Sequence, residues 1–179
     1  MDRRNKFVIA TAVLAVFGAT VGAAMGASDE KYSLTSPGGI AFADFRGYED
    51  WSVISSARTD EVLKVIVGSP AMISAYKAGV PLNGQPFPEG SKVVKLQWKP
   101  KKSTEAPFAV DVPDVFKQAF VMEKDSKRFP DTHGWAYGNF NYSVATNTFT
   151  PEGTDAKCGY ACHTRMASQD YIYTAYPFR

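Results

Sequence analysis

The stretch Ser91-Lys92-Val93-Val94-Lys95-Leu96-Gln97-Trp98-Lys99 reads as a β-strand. Successive side chains of a strand point to opposite faces. Val94, Leu96 and Trp98 therefore share one face, and Val93, Lys95 and Gln97 the other. Working outward, Val115–Lys124 alternates in the same way, with Phe116, Phe120 and Met122 expected on one face. Trp135–Tyr142 is a third, aromatic-rich strand. Upstream, an alternating strand is expected near Trp51–Ala57, and the apolar residues Val62, Leu63, Val65, Ile66 and Val67 suit either a strand or a helix. Ser69-Pro70 is a helix start, with serine as N-cap and proline at the first helical position. That helix should run through Met72, Ile73 and Tyr76 and stop at Gly79. Asp44–Asp50 reads as a short helix. Lys99-Pro100-Lys101-Lys102-Ser103 reads as a solvated basic turn, and a polar linker should follow Pro151. Strands separated by turns, with local helices, predict a single α+β domain, mainly an antiparallel β-sheet with flanking helices.

Composition narrows the function classes. With 179 residues, 45% hydrophobic and 21% charged, the chain has the apolar mass of a globular domain. Two cysteines cannot build a disulfide framework. A net charge of +2 gives no electrostatic footprint for nucleic acid.

The first residues read as an address. Arg3, Arg4 and Lys6 precede an uncharged run, Phe7 to Ala27, that ends in small residues. Basic start, apolar middle and small-residue end are the layout of a secretory signal peptide. Residues 1–27 are assigned to it, and 28–179 to the mature domain. The rival reading is an uncleaved anchor, since the run is long enough to span a bilayer. With Arg3, Arg4, Lys6 and Asp2 removed, the 20 basic and 18 acidic residues fall by three and one, and the mature chain is neutral. Export places it in the periplasm, with no stable membrane partner after cleavage.

The chemistry-bearing run is Lys157-Cys158-Gly159-Tyr160-Ala161-Cys162-His163. Two cysteines followed at once by a histidine is the logic of covalent c-type haem attachment. Each thiol adds to a vinyl group, and the histidine ligates the iron. Three residues separate the cysteines rather than two, and Gly159 is expected to absorb the extra residue in a bulged backbone. A Cys158–Cys162 disulfide is the competing reading, because one helical turn brings the two within bridging range. Zinc is a poorer one, with His133 as the sole further ligand.

Three ordered motifs carry a family resemblance. They are Phe87-Pro88-Glu89-Gly90-Ser91-Lys92-Val93-Val94-Lys95, then Asp125-Ser126-Lys127-Arg128-Phe129-Pro130-Asp131 followed by Gly134-Trp135-Ala136-Tyr137, and Cys162-His163 followed by Gln169-Asp170-Tyr171-Ile172-Tyr173-Thr174. On these the chain resembles the cytochrome P-460 family of small periplasmic c-type haem proteins, relatives of cytochrome c′-beta. The resemblance implies a largely antiparallel sheet, usually in a homodimer, with haem c bound through Cys158 and Cys162 and iron held by His163. It implies a lysine crosslinked to the haem, here Lys95, which on pattern alone is a solvated strand lysine. Active members carry a distal carboxylate as proton relay, and Phe120 falls near that position, with Glu123 as a possible substitute. Lys64 matches a family arginine. The family's chemistry is oxidation of hydroxylamine or nitric oxide, with a periplasmic electron acceptor. The alternative is non-catalytic binding of nitric oxide, as in cytochrome c′-beta.

The sixth iron position is expected to be open. Met166 follows His163 by one turn and lies on the same side, while Met72 and Met122 fit core patterns. Arg128 is a candidate partner for a haem propionate. His133 is expected at the surface.

Overall fold

A computed structural model of the chain describes residues 30–153 and 156–177. The assigned signal segment, 1–27, lies outside the described residues. Among the described residues, no helix is long and apolar enough to cross a membrane.

Six strands form one antiparallel sheet in chain order: β1 (Ser52–Arg58), β2 (Leu63–Gly68), β3 (Lys92–Lys102), β4 (Asp111–Lys124), β5 (Trp135–Ser143) and β6 (Thr148–Pro151). Among the described residues two α-helices accompany it, α1 (Pro70–Lys77) between β2 and β3, and α2 (Ala156–His163) after β6. The ambiguous apolar segment after Val62 is thus a strand. Ser69 caps α1 by accepting from the Met72 N–H at 3.4 Å, and its hydroxyl also accepts from the Lys92 N–H at 3.1 Å. Such a cap contributes about 1 kcal/mol, and this one also ties α1 to β3.

Both sheet faces are covered, which explains the dense apolar pattern of the central strands. On one face, Val94, Val121, Ala136 and Phe140 pack against Ile40, Phe42, Phe45 and Tyr48. These last residues come from 3-10 turns at Phe42–Phe45 and Tyr48–Asp50, where a short helix was expected. On the other face, Val93, Trp135 and Tyr137 pack against α1 and the C-terminal residues Tyr171 and Ile172.

Two expectations need correction, and one strand was not expected at all. The basic stretch at 99–102 is part of β3 rather than a turn. Acidic residues on β4 stabilise it there, Lys101 lying 3.2 Å from Asp114 and Lys102 3.0 Å from Asp111. Pro100 is accommodated where the register with β4 is already irregular. Phe116 does not share a face with Phe120 and Met122. Gln97 pairs with Gln118 but Trp98 with Phe116, so Lys117 is an extra residue, and a bulge of one residue reverses the face of whatever lies beyond it. Phe116 consequently packs on Trp98, Tyr142 and Phe149. Thr148–Pro151, finally, is an edge strand for which no element was expected.

Candidate functional site

A cavity of about 330 Å³ opens between the face of the sheet covered by α1 and the C-terminal segment. Alternation along β3 and β4 supplies its floor. Lys95 and Phe120 are direct cross-strand partners, and both line the cavity. The Lys95 ammonium sits 3.9 Å from the centre of the Phe120 ring, a cation–π contact. Burial and the neighbouring Lys64, also in the wall, hold the Lys95 amine below its ordinary range. Among the described residues, no Asp or Glu lines the cavity.

α2 brings the histidine. It is a regular helix from Ala156 to His163, so Cys158 and Cys162 share one face, one turn apart. Both thiols are exposed and are not bridged to each other. Gly159 does not bulge, contrary to expectation. Its role is close approach: a Cβ there would meet the Tyr137 side chain at 2.5 Å, so the missing side chain lets α2 lie directly on β5.

His163 turns into the cavity wall. Its Nδ1 lies 2.6 Å from the Tyr171 carbonyl oxygen. A carbonyl only accepts, so Nδ1 carries the proton and donates. Nε2 is left as the free lone pair, the arrangement that suits an imidazole ligand. Burial pushes the imidazole below its ordinary range, partly offset by this hydrogen bond and reinforced by the Lys95 charge. The Tyr137 ring lies 4.9 Å from His163 and the Tyr173 ring 5.0 Å. The Tyr173 hydroxyl donates to the Cys162 carbonyl at 2.6 Å, closing the C-terminal segment over the end of α2. The Tyr137 hydroxyl is buried in the cavity region without a hydrogen-bond partner, and burial raises its phenol pKa.

The structure thus gathers His163, Lys95, Phe120 and Lys64 around one cavity, with Cys158 and Cys162 on the helix beside it. Arg128 is elsewhere. It donates to the Gly39 carbonyl at 2.7 Å and to Glu123 at 3.2 Å, and it does not line the cavity. Glu123 is buried away from the cavity and paired with Lys92 and Arg128, so it does not stand in for a distal carboxylate. Met72 is fully buried in the core, whereas Met122 reaches the cavity wall. His133 is exposed, with its ring against Tyr160 and Tyr171. Among the described residues, no three His, Cys, Asp or Glu side chains converge to hold a metal ion. A solitary imidazole of this kind suits a metal already carried by another scaffold. Sequence reading missed Tyr137 and Tyr173 as site residues and the Tyr171 carbonyl as the histidine's partner. Their signals were the motif ending Gly134-Trp135-Ala136-Tyr137 for the first and Gln169–Thr174 for the others.

A profile of the family described as Cytochrome P460 matches residues 45–174. The chain belongs to the cytochrome P460 family. None of the curated proteins matches it. Membership makes this a haem-binding protein, and the residues fit that role. An apolar cavity holds an imidazole with a free Nε2, an orphaned hydroxyl points to a missing polar neighbour, and two exposed thiols lie one turn apart on the adjacent helix. Cys158, Cys162 and His163 are the residues of this cytochrome P460 family member that would hold the group.

Proposed function

We propose that the protein is an exported, periplasmic c-type haem protein that binds nitric oxide without oxidising it. In this reading Cys158 and Cys162 hold haem as thioethers and His163 ligates its iron. When bound, the haem supplies a redox-active iron that coordinates small nitrogen ligands. The observation that carries the reading is the cavity wall, which contains Phe120 and, among the described residues, no carboxylate. Phe120 presents an apolar ring where a proton relay would stand, so a small neutral ligand is favoured over chemistry that sheds protons. Arg3, Arg4 and Lys6 followed by the apolar run to Ala27 support export.

A second reading is oxidation of hydroxylamine, with electrons passing to a periplasmic acceptor. One observation favours it: Lys95 places an ionisable amine in the same cavity wall as His163.

Purified protein mixed in turn with nitric oxide and with hydroxylamine plus an artificial electron acceptor separates the two. The binding reading predicts a spectral change with nitric oxide and no reduction of the acceptor by hydroxylamine. Steady acceptor reduction, abolished in Lys95→Met, would establish the oxidase instead.

A further inference from the structure

Asp170 and Tyr171 are consecutive non-glycine residues in the left-handed region, with φ of 46° and 64°. L-residues pay for that conformation and keep it only where the surroundings impose it. The surroundings here are specific. The Asp170 carboxylate accepts from the Lys124 ammonium at 2.8 Å and from the Phe87 N–H at 2.8 Å. Lys124 also donates to the His133 carbonyl at 3.0 Å. Lys124 and Asp170 are nearly buried, with side-chain exposures of 7% and 11%. A buried ion pair contributes little net stability, because desolvation offsets the attraction, so its use here points to geometry. The geometry it fixes is the turn whose Tyr171 carbonyl takes the His163 proton at 2.6 Å.

We infer that Asp170, locked by Lys124 and the Phe87 N–H, is a positioning residue that sets the orientation and basicity of the His163 imidazole through the Tyr171 carbonyl. The inference rests on His163 being the iron ligand. Three separated stretches, around Phe87, Lys124–His133 and Asp170–Tyr171, are tied together at the Asp170 carboxylate, one residue before the carbonyl that faces His163. A partner that accepts the ligand's second proton makes the ligating nitrogen more electron-rich. Releasing the turn weakens that donation.

The test is resonance Raman spectroscopy and redox titration of the ferrous haem-loaded protein. Asp170→Asn keeps the shape and the acceptor for Phe87 but removes the charge that holds Lys124. It should shift the iron–histidine stretching band to lower frequency and the midpoint potential upward, at unchanged haem content. Lys124→Met should do the same, and Lys124→Arg should restore most of the band position. Glu89→Gln, which breaks a comparable side-chain cap on Ser126, should leave both readouts where they were. A folded Asp170→Asn protein with the parent's band and potential would overturn the inference. Should that variant fail to accumulate, a Lys124→Met band identical to the parent's would overturn it equally. A parent protein with haem but no iron–histidine band would instead overturn the ligand assignment, and with it the inference.

Discussion

Lys95 carries a positive charge into a cavity whose wall holds a second lysine and, among the described residues, no carboxylate. The aromatic face of Phe120 is its closest compensation. Such a contact recovers only part of what burial of an ammonium costs. The folded-state pKa of Lys95 is therefore below its ordinary value of 10.5. As pH rises toward that value, the folded protein releases the proton first while the unfolded chain still holds it. Stability then increases with pH in that window, because the unfolded state binds more protons. Lys95→Met, in chain prepared without haem, should raise the urea midpoint at neutral pH and flatten the increase on going to pH near 10. Equal midpoints and equal pH slopes would show that Lys95 is solvated. The alternation of Ser91–Lys99 told which face Lys95 occupies, but not that this face is roofed. The roof is the C-terminal segment around Ile172–Thr174, nearly eighty residues away in the chain, and no local pattern reports so distant a contact.

At the scale of elements, the meeting of α2 with β5 decides where the histidine sits. The contact is possible because Gly159 faces Tyr137 with no side chain between them. Gly159→Ala would place a methyl at 2.5 Å from Tyr137. Overpacking of this sort costs about 1–3 kcal/mol, and the variant should melt correspondingly earlier. An unchanged melting temperature would show that α2 is free to lift from the sheet. The cysteine and histidine pattern on this helix was legible from spacing alone, and the regular helix keeps both cysteines on one face. The reason for the glycine was not legible, because it depends on which strand the helix meets. The strands show the same division. Aromatic richness disclosed β5, and period-two alternation disclosed β1, β3 and β4. It could not disclose the bulge at Lys117 that turns Phe116 away from Phe120, since a bulge shifts the pairing while leaving the residue pattern intact.

In the whole molecule the sheet is a partition. One face buries the 3-10 turns of the N-terminal segment, and the other, with α1, α2 and the C-terminal segment, forms the cavity. Arg128 and Glu123 lie in a charge network away from the cavity, with Lys92 and Asp44. Arg128, the candidate partner for a haem propionate, is held in this network and does not line the cavity. The account rests on α2 carrying the haem beside this cavity. The most direct test is the intact mass of the exported protein, followed by mapping of the haem-bearing peptide. The account predicts the mass of the chain plus one haem, with the haem on the peptide containing Cys158, Cys162 and His163. A mass equal to the haem-free chain, or to that chain less two hydrogens as a Cys158–Cys162 disulfide, would contradict it.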